Sequence, residues 1–400
     1  MGVGFSPNGF TRRSLFRRVA VAGGLGVCGE GWWTRAWAQA GCDGPAGELV
    51  RTLPLYGPGA VETPLGQMLG GSGLDARFFT DLTRIDRDRM ITPTDEVFVR
   101  TAAPAGLRLA AADWRVALHG LTASRHVLTA ADVIAKSRPM GTHLIECAGN
   151  GNPRNFGLMS AVDWDGVLLS DLLGPQRPVG TTGVLVSGVD DESQPSLRSQ
   201  PGASWVIPVD VLDGARPFLA TSMNGAPLSP DHGAPVRLVV PGWYGCAWIK
   251  WVNEIRWVGA DEPATSQMIE YAGRTHQDGR PALARDYQAP AIDTAAMPVR
   301  VEQRRVNGAT EYRIVGIVWG GTAPVDRLVM RVSSRDAGTP VRVCPAPATH
   351  HTWSLWTHRW TPAEPGYYDI SLRTADTGVQ SRRLDLSFYI RRVRIDDPSG

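Results

Sequence analysis

The sequence predicts an α+β fold in two parts, a strand-rich mixed domain followed by a β-sandwich. Three observations carry this. Apolar runs of strand length, with a few short helical stretches, fill residues 95–287 without the regular βαβ alternation of a doubly wound fold. Composition then shifts to Ala and Pro over 288–298, where no periodicity persists and a linker is expected. Beyond it come short strand candidates at 312–318, 327–332, 353–360, 367–373 and 384–393, punctuated by Asn307-Gly308 and Pro365-Gly366. A chain of 400 residues is also more than one core usually holds.

Residues 1–40 read as a cleaved export signal. Thr11-Arg12-Arg13-Ser14-Leu15-Phe16-Arg17 is a twin-arginine pattern, and a weakly apolar Gly/Ala-rich stretch follows over 19–27. Ala36-Trp37-Ala38 and Ala38-Gln39-Ala40 both fit a small-x-small cleavage site. The stretch is too short and glycine-rich to span a bilayer. Twin-arginine export carries folded proteins, so the expected location is periplasmic. Removing five of 41 basic and one of 39 acidic residues leaves 36 against 38, a net charge of −2. That balance argues against nucleic acid as a main partner. No apolar run of transmembrane length remains. Cys42, Cys147, Cys246 and Cys344 survive cleavage; a disulfide is allowed but their spacing shows no framework. There is no Cys-x-x-Cys-His, so no haem in this chain is expected.

Residues 41–94 are rich in Gly, Pro and Thr and predict an extended arm around a core. Strands are expected at 96–100 and 114–118, then a short helix capped by Thr129 and running through Asp132 to Lys136. Thr142 to Ile145 reads as a buried strand, 168–173 as a helix, and 184–188 and 235–240 as further strands.

The chemistry concentrates at two places. In Glu146-Cys147-Ala148-Gly149-Asn150-Gly151 a single thiol stands where a buried strand gives way to small residues that let a bulky ligand approach. A thiolate there is a soft transition-metal ligand or a nucleophile. Downstream, Asp231-His232-Gly233-Ala234-Pro235-Val236-Arg237 is followed by Pro241-Gly242-Trp243-Tyr244-Gly245 and Ile249-Lys250-Trp251. Fixed cationic donors of this kind suit a phosphate, which arginine grips bidentately.

These segments resemble, in the same order, the sulfite oxidase family of molybdopterin-dependent oxidoreductases, over roughly residues 75–395. The resemblance implies a molybdopterin-binding α+β domain at 95–287 and an immunoglobulin-like dimerisation domain at 288–400. It implies one pterin per molybdenum, with Cys147 as the protein thiolate. Sulfur-rich ligation suits a metal that cycles between oxidation states. His232, Arg237 and Lys250 would hold the pterin and its phosphate, with Trp248 and Ile249 in the same turn and Asp190 or Asp191 as a further contact. Arg100, in Val97-Phe98-Val99-Arg100, matches the arginine where cofactor and substrate meet; Thr101-Ala102 replaces the usual Asn-His.

On the substrate side the family holds a small oxyanion with arginines, a tyrosine and a tryptophan, since a buried anion needs preorganised positive charge. Trp164 and Tyr271 match the aromatic members. The second arginine falls at Asn152 here, with Arg154 two further on, and the Trp319-Gly320-Gly321-Thr322-Ala323 turn lacks the third. A pocket less cationic than a typical sulfite site is therefore expected. Sulfite is the first substrate this implies. A sulfane-type sulfur compound, a sulfoxide or another oxide at the same metal competes with it, and a cofactor-free periplasmic binding or scaffold protein is the rival class. Electrons would pass to a separate carrier, a c-type cytochrome or an azurin-like protein. His350, His351 and His358 show no metal-ligand spacing and read as loop or packing residues.

Overall fold

The computed structural model describes residues 47–57, 69–107, 110–121, 125–151, 156–190, 203–333 and 337–396. The export segment 1–40, Cys42, Arg154 and Asp191 lie outside these residues.

Sheet dominates. Among the described residues the α-helices Ala130–Ala135, Leu169–Leu173, Val209–Gly214 and Ser266–Tyr271 are only five or six residues long. The first starts where Thr129 predicts it. Thr129 Oγ1 accepts from the Asp132 N–H at 3.0 Å while the Asp132 carboxylate accepts from the Thr129 N–H at 2.8 Å, a reciprocal capping box.

Two five-stranded sheets carry the site. One orders Ser204–Pro208, Gly183–Gly188, Val252–Val258, Arg115–Gly120 and His126–Thr129; Val252–Val258 runs parallel to Arg115–Gly120 and the other pairs are antiparallel. The other is antiparallel, ordering Ala226–Pro227, Phe218–Met223, Met159–Leu168 and Arg138–Glu146, with Arg237–Val239 also paired to Phe218–Met223. The stretch from Val236 to Val252 joins them. Leu238 donates its N–H to Ile249 at 2.7 Å and Val252 to Val236 at 3.1 Å, folding this segment back on itself between the sheets. The buried indoles of Trp205, Trp248 and Trp251 pack there, so the core is continuous across the junction.

Two four-stranded antiparallel sheets follow and face each other. One orders Glu48–Leu53, Ala295–Val306, Ala309–Trp319 and Ser354–Trp360; the other Thr339–Arg342, Arg327–Val332, Gly366–Thr374 and Arg391–Ile395. The arm thus adds an edge strand to a sheet built from the far end of the chain, with Leu53 opposite Val301. Gly316 is needed in its strand because the Trp356 ring lies directly over it, where a Cβ would collide.

Three expectations change. The strand at 96–100 shrinks to Val99–Arg100, because Thr94–Glu96 forms a 3-10 turn whose Glu96 carboxylate binds Arg84 at 2.6 Å and also Arg89. The segment expected as a linker contains the start of Ala295–Val306, a strand hidden in the sequence by its charged residues. Arg300 and Glu302 are buried and paired: Glu302 binds Arg300 and the partly buried Arg304, each at 2.8 Å. The strand expected at 384–393 starts only at Arg391, since the preceding residues cross toward the Cys147 loop.

Candidate functional site

Cys147 follows the strand Arg138–Glu146, whose pairing with Met159–Leu168 runs to Glu146 opposite Met159. The Cys147 N–H extends the ladder by donating to the Leu158 carbonyl at 2.9 Å. The chain then turns tightly. Asn150 donates its N–H to the Cys147 carbonyl at 2.9 Å, accepts the Leu158 N–H on Oδ1 at 3.1 Å, and donates from Nδ2 to Glu146 Oε1 at 3.2 Å. The Gly149 N–H donates to Cys147 Sγ, 3.3 Å away. The thiol is nearly covered by protein, yet its sulfur borders two separate cavities.

The first cavity spans about 910 Å³ and gathers residues scattered through the sequence from Leu74 to Tyr271. Asp231 and His232 come from the 3-10 turn Pro230–His232, Arg237 from the strand after it, and Trp248, Ile249 and Lys250 from the turn that re-enters the next strand. Gly233 adopts φ +100°, and a Cβ there would press within 3.0 Å of both the Arg237 and Lys250 side chains. Trp164 on its central strand, Asp190 beyond Gly183–Gly188 and Tyr271 ending its helix complete the lining.

The electrostatics are those of a buried anion site. Arg237 donates to the carbonyls of His232 and Trp248, each at 3.1 Å, and its guanidinium sits 5.5 Å from the Trp164 ring centroid and 5.9 Å from that of Trp248. Its Nε is buried without a hydrogen-bond partner. Burial alone holds its pKa down to about 9. Lys250 donates to the carbonyls of Arg100 at 3.3 Å, Asp231 at 2.9 Å and Thr101, and lies 4.3 Å from the Trp251 ring centroid. Burial first, then Arg237, pushes its pKa well below the ordinary lysine value. His232 is held near 4 by burial, then by Arg237 and Lys250, so it is neutral. In that state its Nδ1 accepts from Ser229 Oγ at 2.7 Å and its Nε2–H donates to the Val97 carbonyl at 3.3 Å. Two strained cations and an orphaned guanidinium donor fit a phosphorylated pterin, whose anion would relieve both faults.

A profile of the oxidoreductase molybdopterin binding domain matches residues 102–266, which spans the Cys147 loop and the Asp231–Lys250 segment. The chain is 28% identical to the sulfite oxidase of Gallus gallus over 310 residues, covering 70% of this chain and 65% of that protein. It is also 28% identical to the mitochondrial sulfite oxidase of Drosophila melanogaster, covering 77% and 56% respectively. The sulfane dehydrogenase SoxCD from Paracoccus pantotrophus shares the fold with a TM-score of 0.63 at 21% identity, covering 79% of this chain and 81% of that one. The chain is thus similar to the sulfite oxidases and carries a match to the molybdopterin binding domain. It spans less than two thirds of the length of these curated sulfite oxidases.

The second cavity opens on the other side of Cys147, and here the sulfite oxidase-family pattern is rearranged. It encloses about 1980 Å³ and is lined by Arg77, Arg100, Arg274 and Arg382 among the described residues. Where the motif positions lack arginines, Arg77, Arg274 and Arg382 reach this cleft from other segments. The Trp319-Gly320-Gly321 turn does reach the Cys147 loop, but through an indole, with Trp319 Nε1 donating to Glu146 Oε2 at 2.8 Å.

Sequence reasoning missed Arg77, Arg274, Arg382 and Glu146, and also Cys246, a buried free cysteine lining the first cavity. None has a local signature except Glu146, the immediate neighbour of Cys147. His143 and His351 face each other with ring centroids 5.5 Å apart, and His350 lies 4.2 Å from His351. The described residues contain no group of three or more His, Cys, Asp or Glu placed to hold a metal.

Proposed function

We propose that this chain is a periplasmic molybdenum-cofactor oxidoreductase that moves an oxygen atom to or from a small sulfur oxyanion such as sulfite. One observation carries the reading: Cys147 borders both a cavity lined by the buried cations Arg237 and Lys250 and a more open cleft lined by arginines. When bound, the molybdenum cofactor supplies two-electron redox chemistry coupled to oxygen-atom transfer.

The chain's own residues do the rest. Arg237, Lys250 and neutral His232 anchor the phosphate and pterin, with Trp248, Ile249 and Asp190 beside them. Cys147 holds the metal as a thiolate supported by the Gly149 N–H. Arg100 borders both cavities and orients the anion toward that wall. Tyr271, buried beside Cys147, is held protonated by its burial and then by the sulfur, so its hydroxyl is a hydrogen-bond donor at neutral pH. Trp164 packs edge-on to Trp248 at 5.8 Å and lines the cavity.

Residues 95–287 would form the cofactor domain, and 288–400 an immunoglobulin-like dimerisation domain; two facing antiparallel sheets support the latter. Export through the twin-arginine pathway rests on residues 11–17, and Cys344, which is disulfide-bonded, supports an oxidising compartment. Electrons would leave one at a time to a separate carrier, a c-type cytochrome being the first choice. No described helix is long and apolar enough to cross a membrane. The fold shared with SoxCD favours a second reading, a sulfane-type sulfur substrate at the same metal.

The test is sulfite-dependent reduction of ferricytochrome c by protein shown to contain molybdenum. Saturable reduction supports the sulfite reading. A metal-loaded protein inert to sulfite but active on a sulfane donor supports the second. Absence of molybdenum from protein made with cofactor supply intact overturns both.

A further inference from the structure

The geometry points to Arg77 and Arg274, neither of them in a motif-matched position, as the residues that bind the substrate's sulfur oxyanion in the cleft beside Cys147. This deepens the proposed function and rests on it for the identity of the substrate.

Arg77 stands opposite Arg100 across a two-strand ladder. Both guanidinium groups hang on one carbonyl: Arg77 Nη1 donates to Leu74 at 3.3 Å and Arg100 Nη1 to the same oxygen at 2.6 Å, while Arg77 Nη1 also donates to Ala76 at 2.7 Å. Two like charges are thereby fixed side by side at the cleft wall. Burial and then Arg100 hold the Arg77 pKa down to about 10. Arg274 approaches from the opposite side, on the 3-10 turn after the Tyr271 helix, with its guanidinium 5.5 Å from the Tyr271 ring centroid. A Cβ added to Gly149 would lie 3.3 Å from Arg274 Nη1 and 3.7 Å from Cys147 Sγ, so the cation and the metal-ligand sulfur face the same small space over Gly149.

The fourth arginine is differently employed. Arg382 is bound at both ends by Glu146, at 2.8 and 2.7 Å, so its charge is spent within the protein. Neither Arg77 nor Arg274 has a carboxylate within ion-pair distance among the described residues. Against Arg77, Arg100 and Arg274 the described lining sets only Asp75 once Glu146 is paired. A net positive pocket that converges on one sulfur recognises a compact oxyanion.

The experiment is calorimetric titration of the molybdenum-loaded protein with inorganic sulfate, an inert oxyanion, together with sulfite steady-state kinetics. Arg77→Gln and Arg274→Gln should each weaken sulfate binding roughly 10- to 100-fold and raise the sulfite KM more than they lower kcat. Arg77→Lys and Arg274→Lys should recover part of the affinity. Wild-type protein that does not bind sulfate, or Gln variants that bind it unchanged, would overturn the assignment. Molybdenum content, measured on every sample, separates this outcome from failure of the cofactor reading: metal-loaded protein with unaltered sulfate binding in the variants sinks only the arginine assignment.

Discussion

Arg382 grips Glu146 with both Nη atoms, at 2.8 and 2.7 Å, in the position immediately before Cys147. The carboxylate is fully buried and also accepts from Trp319 Nε1 and Asn150 Nδ2. Arg382 in turn donates to Tyr389 Oη at 3.0 Å and lies 5.2 Å from the Tyr244 ring centroid. Residues near the end of the chain therefore hold the loop that presents the thiolate. Removing one partner strands a buried charge, which costs about 3 kcal/mol or more. Glu146→Gln and Arg382→Met should each lower the denaturant midpoint by that order, and the double variant should lose less than the sum of the two. Additive losses would show that the pair is not coupled.

Cys147→Ser should abolish turnover while leaving the fold intact. The residue sits at the end of a ladder whose backbone bonds do not involve Sγ, so circular dichroism and the melting temperature should stay close to wild type. Full activity in this variant would refute its role at the metal.

Gly233→Ala should lower cofactor content more than a neutral surface change does. A side chain at φ +100° is strained by roughly 1–3 kcal/mol, and the new methyl would press on both Arg237 and Lys250. The readout is molybdenum and released pterin per protein. An unchanged content would mean the turn tolerates displacement of both cations.

Stability should fall on mild acidification. His232 and His143 are each held near 4, mainly by burial, against an ordinary value of 6.5. Between those values the unfolded chain binds more protons than the folded one, so stability is complete above about pH 6.5 and is lost as pH falls toward 4. Each group contributes a loss of roughly 2 kcal/mol by pH 5. Denaturation of the apo protein at pH 7 and pH 5 checks this, and a flat profile would mean that one ring or both protonate in the folded state.

Much of this protein is local and was legible in its residues. Thr129 and Asp132 specify a helix start by themselves, because a capping box is made within four residues. Cys147 at a strand end and the Asp231-His232-Gly233 turn are likewise short-range devices, and Arg237 and Lys250 follow within the same fold-back. The sequence by itself thus determined much of the first cavity: one thiol, two cations and one turn. The tertiary structure alone decided which arginines line the second. Arg77, Arg274 and Arg382 come from a short edge strand, a helix-following turn and a late loop, and no sequence spacing relates them. The same holds for Ala295–Val306, whose buried Arg300 and Glu302 look solvent-facing until pairing across the strand neutralises them. The physical reason is range: a cap or a turn is satisfied by neighbours in the chain, whereas buried charge is satisfied only by partners that folding brings together.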